Sequence, residues 1–84
     1  MLKLREFRQK MGYSQAYISK ILDIPASTYA NWEQGTREPG IENLAKIAIA
    51  LECTVDDLID FKKLHDELSE YIVEMIHKTK EPNR

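Results

Sequence analysis

Residues Ser14 to Gly35 read SQAYISKILDIPASTYANWEQG, and this stretch decides the fold. Ser14 is a good N-cap, because its hydroxyl can accept from an orphan amide of a helix that starts at Gln15. Ile18, Ile21 and Leu22 follow at three- and four-residue spacing and share one face of that helix. Asp23 falls where the chain must turn. Pro25 then forces Ile24 to be extended and has the φ that a new helix needs at its first position. A second helix runs from Ala26 to Gln34 with Tyr29 and Trp32 on one side, and Gly35 stops it. Two helices of this length, joined this tightly, make a helix-turn-helix.

Working outward, Leu2 to Met11 reads as a preceding helix. Leu4, Phe7 and Met11 lie on its inner face, Lys3, Arg5 and Lys10 lie opposite, and Gly12 ends it. TREPG (Thr36 to Gly40) is a polar loop with two breakers. Ile41 to Leu51 forms a fourth helix whose Ile41, Leu44, Ala45, Ile47, Ala48 and Leu51 make a broad apolar stripe expected to be buried. Thr54 and Asp57 are spaced as a capping box for a fifth helix, with Cys53 and Leu58 as its hydrophobic staple. No stretch alternates as a strand does.

From Phe61 the pattern changes. Phe61, Leu64, Leu68, Tyr71 and Met75 repeat at 3-4-3-4 spacing, and Ile72 and Ile76 widen the stripe to an arc of about 140°. Lys62, Lys63, Asp66, Glu67, Glu70 and Glu74 fill the rest of the wheel. Neither Gly nor Pro separates Val55 from Glu81, so the fifth helix is expected to continue into this one. Lys80 to Arg84 reads as a frayed tail.

Eighty-four residues with 43% apolar content suffice for one all-helical core. No apolar run approaches the roughly 18 residues of a membrane span, which points to a cytoplasmic chain that does not engage the membrane. Cys53 is the single cysteine, so no internal disulfide forms, and packing is its expected role. The net charge of −2 argues against a nucleic-acid partner until it is divided along the chain. Residues 1–40 carry +2 and residues 41–84 carry −4, so a basic surface has to come from the first half. His65 and His77 lie about 120° apart around a helix and cannot share a metal. Asp56 and Asp57 suit a first helical turn. There is no nucleophile with a base, no phosphate-binding glycine loop and no metal-ligand spacing, so neither an enzyme nor a cofactor is expected.

These residues resemble the Cro/C1-type (XRE-like) helix-turn-helix family of phage and bacterial repressors over Leu2 to about Asp60. The resemblance rests on Gly12-Tyr13-Ser14-Gln15, Leu22-x-Ile24, Trp32-Glu33-x-Gly35, Pro39 and Leu44-x-x-Ile47-Ala48-x-x-Leu51-x-x-Thr54, in that order and spacing. It implies an all-α fold: a five-helix lambda-repressor-like DNA-binding domain at 1–60, followed by an amphipathic C-terminal helix at 61–80. Two positions depart from the family. Asp23 stands where Gly is usual, in a turn that Asp can tolerate. Glu52 stands where Gly or Asn is usual, so the fourth helix is expected to end differently.

The resemblance also assigns roles. The helix of residues 26–34 would lie in the major groove of double-stranded DNA, with Ala26, Ser27 and Asn31 at base edges. Asn31 can pair bidentately with adenine and Ala26 can touch a thymine methyl; with no Arg or Lys on the helix, A·T-weighted half-sites are expected. Gln15, Tyr17, Lys20, Thr28, Thr36 and Arg37 would contact the DNA backbone, with Tyr13 beside them. Arg8 and Glu33 match a structural salt bridge between the first and third helices. Tyr29 and Trp32 are expected in the core rather than as stacking residues.

The stripe Phe61, Leu64, Leu68, Tyr71, Ile72, Met75 and Ile76 needs a cover. A second copy would make a homodimer whose recognition helices lie about 34 Å apart on a palindromic operator. The alternatives are the chain's own domain, or a regulatory protein partner, as in an antitoxin-like module.

Overall fold

The structure, a computed structural model, describes residues 2–79 and residue 81. Its helices are α1 (Leu4–Met11), α2 (Gln15–Leu22), α3 (Ala26–Gln34), α4 (Ile41–Ala50), α5 (Val55–Leu58) and α6 (Phe61–Lys78). Of the frayed tail expected at Lys80 to Arg84, all but Glu81 lies outside the described residues.

Local chemistry sets the boundaries. Gly12 and Gly35 close α1 and α3 in the left-handed conformation. Ser14 Oγ accepts from the Tyr17 amide at 3.0 Å and starts α2. Pro25 occupies the N-cap of α3 rather than its first helical position. Thr54 and Asp57 cap each other reciprocally at 3.0 Å, the full capping box. Both departures from the family pattern are accommodated in the same way: Asp23 takes φ 55° and Glu52 takes φ 54°. Helix α4 therefore ends through a left-handed residue after all, and the Cys53 amide closes it on the Ala48 carbonyl at 3.0 Å.

A left-handed L-residue carries a cost that glycine avoids. Asp23→Gly is expected to stabilise the chain by roughly 0.5–1 kcal/mol, read as a higher midpoint in urea. A lower midpoint would show that the Asp23 side chain contributes more than its backbone costs.

One core joins the first five helices: Leu4 from α1, Ile18 and Leu22 from α2, Tyr29 and Trp32 from α3, Ile47 and Ala48 from α4, then Leu51 and Leu58. Three side chains expected to face inward do not. Ile21 is about half exposed, Ala45 is exposed, and Ile41 is 88% exposed. Ile41 is the first residue of α4, beyond the reach of the core that covers Ile47 and Ala48.

The expectation that α5 continues into α6 is corrected. Ile59 is extended (φ −107°, ψ 131°) and forms an isolated antiparallel bridge with Leu2, while the Lys3 amide donates to the Leu58 carbonyl at 2.7 Å. The N-terminal segment thus takes up backbone groups that a continuous helix would need. For the same reason α1 begins at Leu4 instead of Leu2. Asp60 then caps a fresh helix, its Oδ1 accepting from the Lys63 amide at 3.2 Å.

Helix α6 projects from this core. The radius of gyration is 16.7 Å, against about 12 Å for a compact chain of this length. The long axis measures 53 Å and the other two 21 and 20 Å. None of its residues is buried, so it does not fold back on its own domain.

Candidate nucleic-acid interface

The side chains of α3 divide cleanly. Tyr29 and Trp32 are buried, with ring centroids 6.3 Å apart in an edge-to-face pair. Ala26 and Ser27 are exposed, and Thr28, Ala30 and Asn31 are half-buried. A helical wheel places Ala26, Ser27, Ala30 and Asn31 together, opposite the two aromatics. Gln34 shares that outward face and is exposed, a residue the sequence reading passed over. Its spacing, seven from Ser27 and three from Asn31, was the available signal.

The loop after α3 folds onto the same helix. The Thr36 and Arg37 amides donate to the Asn31 carbonyl at 3.1 and 3.4 Å, and Thr36 Oγ1 donates to it at 3.2 Å. Both exposed side chains therefore sit at the C-terminal end of the face that carries Asn31. From α2, Lys20 is exposed and Tyr17 is half exposed, its ring 4.8 Å from that of Tyr13.

Glu33 ties these elements together. Its side chain is 0% exposed and accepts from Arg8 twice, Nε to Oε2 at 2.6 Å and Nη2 to Oε1 at 3.1 Å. The third Arg8 bond goes from Nη1 to the Tyr13 carbonyl at 2.7 Å. Gln15 Nε2 donates to Glu33 Oε1 at 3.0 Å, and Arg5 Nε reaches the same oxygen at 3.4 Å. The first residue of α2 is thus fixed against the last turn of α3, with one of its amide hydrogens committed to Glu33.

Burial by itself would raise the Glu33 pKa. The hydrogen bonds from Arg8 and Gln15, with the Arg8 charge, outweigh it and hold the carboxyl at about 2. The Tyr29 hydroxyl is buried beside this pair without a well-formed hydrogen bond; burial and the neighbouring carboxylate push it up, so it stays neutral.

Along α6, Phe61, Leu64, His65, Leu68, Ser69, Ile72 and Val73 line a shallow apolar groove of about 410 Å³. Tyr71, Met75 and Ile76 are exposed beside it. No group of three or more metal-ligating side chains comes together among the described residues, and no helix there is long and apolar enough to cross a membrane.

This architecture defines an all-helical helix-turn-helix domain. The chain belongs to the helix-turn-helix family, whose model matches residues 4–58, and within it to the Cro/C1-type (XRE-like) branch. It is 39% identical over 61 residues to the HTH-type transcriptional regulator AnsR of Bacillus subtilis (strain 168), covering 73% of this chain and 53% of that one. It is 36% identical over 56 residues to the cryptic phage CTXphi transcriptional repressor RstR of Vibrio cholerae serotype O1, covering 67% and 50%. The match to the HTH-type transcriptional regulator ImmR of Bacillus subtilis is 30% over 84 residues, covering 94% of this chain and 66% of that one. The chain therefore spans about half the length of the first two relatives.

Proposed function

We propose that this chain is a sequence-specific double-stranded DNA-binding transcriptional regulator. In this reading it represses by occupying a palindromic operator as a homodimer. The observation that carries the reading is the polar outer face of α3, held rigidly by its own aromatic inner face and by the Glu33 hub. A helix presented in this way suits the major groove, with Ala26, Ser27 and Asn31 at base edges. Gln15, Tyr17, Lys20, Thr28, Thr36 and Arg37 flank it and would grip backbone phosphates. Phosphate contacts would supply most of the affinity and make it fall steeply with salt, while few side chains read sequence.

The homodimer is supported by α6, whose apolar stripe is uncovered and projects from the domain. Two such stripes facing each other would remove them from water and give the protein the two-fold symmetry of an inverted repeat.

Selection from random-sequence duplexes tests the reading. The wild type is expected to enrich an inverted repeat with A·T-weighted half-sites. Asn31→Ala is expected to bind more weakly by about 1–3 kcal/mol and to lose preference at one position of each half-site. Lys20→Ala and Arg37→Ala are expected to weaken binding to all sequences alike and to reduce the salt slope by about 0.9 each. An unchanged Asn31→Ala motif would move base reading to another residue, and enrichment of nothing would sink the function.

A further inference from the structure

We propose that Arg5 is a further DNA-backbone residue, sharing one phosphate with Gln15; this rests on the DNA-binding reading above. Glu33 supplies one negative charge to two guanidiniums, and Arg8 takes it, with short bidentate contacts at 2.6 and 3.1 Å. Arg5 touches Glu33 only through Nε, at 3.4 Å, and only at the oxygen that Arg8 and Gln15 already use. A guanidinium has five N–H donors in a planar fork, and among the described residues Glu33 engages only the Nε of Arg5, which leaves its terminal amines for another acceptor. Its side chain is 59% exposed. The cluster of Arg5, Arg8 and Glu33 thus carries one uncompensated positive charge, and that charge sits on Arg5.

Position then selects the ligand. Arg5 Nε and Gln15 Nε2 reach the same oxygen at 3.4 and 3.0 Å, which places them no more than about 6.4 Å from each other. The single Nε hydrogen of Arg5 and one Gln15 amide hydrogen are spent on Glu33. The Arg5 terminal amines and the second Gln15 amide hydrogen remain, and groups this close can straddle a single anionic group of phosphate size. Gln15 opens α2, where the proposed backbone contacts begin, so the phosphate is one of the DNA backbone. Glu33 does more than hold the fold here. By engaging the Arg5 Nε it restrains a long side chain before DNA arrives, which lowers the entropy cost of contact.

The test measures binding of the full-length chain to a fluorescently labelled random-sequence duplex across a salt series of about 50–200 mM. Arg5→Gln is expected to bind three- to tenfold more weakly at the lowest salt and to lower the salt slope by about 0.9. Arg5→Lys is expected to keep the slope and lose part of the affinity, because the charge stays and the fork is lost. Lys46→Gln removes the same formal charge from α4, where Lys46 pairs with Glu42 at 3.4 Å, and is expected to change binding less than twofold. Arg5→Gln matching the wild type overturns the proposal, as does Lys46→Gln matching Arg5→Gln, since the effect would then be net charge alone. A wild-type chain that binds no duplex at low salt would overturn the DNA-binding reading itself, and Arg5 with it.

Discussion

Replacing Arg8 with Ala is expected to lower the thermal unfolding midpoint at pH 7 by roughly 12–24 °C, the equivalent of about 3 kcal/mol in a domain of this size. The reason is asymmetry. The Glu33 carboxylate is fully buried, and Arg8 provides its two shortest guanidinium contacts. Without Arg8 the desolvation cost remains and little offsets it beyond Gln15 and the long Arg5 contact. Removing one partner of a buried pair is far more damaging than removing both, so Arg8→Met combined with Glu33→Met should recover much of the loss.

The same change should reverse the pH dependence. In the wild type, Glu33 sits at about 2, below its unfolded value of about 4.3. Its contribution is complete above the unfolded value and is lost as pH falls toward 2. That contribution is at most about 3 kcal/mol, and less once solvent screening is counted. In Arg8→Ala, burial governs and raises the Glu33 pKa, so stability should increase as pH falls from 7. Unfolding monitored from pH 7 to pH 3 reads both slopes. Parallel profiles in the two proteins would show that Arg8 is not what holds Glu33 ionised.

The second large effect concerns α6. Light scattering of the full chain is expected to give the mass of a dimer, and a chain ending at Asp60 the mass of a monomer. Because α6 buries none of its residues against the domain, the truncated chain should keep a thermal midpoint close to the wild-type monomer value. Leu68 lies at the middle of the stripe and lines its groove. Leu68→Glu in the full chain would place a charge in the desolvated seam and weaken dimerisation at least 30-fold, about 2 kcal/mol. A monomer in both lengths would reject the homodimer and direct attention to a different protein on the same stripe.

The sequence by itself determined the helices and their order. Caps and breakers act locally, so Ser14, Thr54 with Asp57, Gly12 and Gly35 could be read without knowing what surrounds them. The inward pair Tyr29 and Trp32 followed from spacing alone, as did the amphipathic character of the last helix. Only the tertiary structure decided the rest. It broke the helix at Ile59, because the amide that holds Leu58 and the partner of Ile59 come from the start of the chain, over fifty residues away. It left Ile21 and Ile41 in water, because helical spacing fixes a side chain's direction but not how far the neighbouring helices extend. It also brought Arg5, Arg8 and Gln15 onto the one carboxylate of Glu33. Periodicity describes a single helix, whereas that convergence depends on how three helices pack, which is where the charge balance of the proposed interface is set.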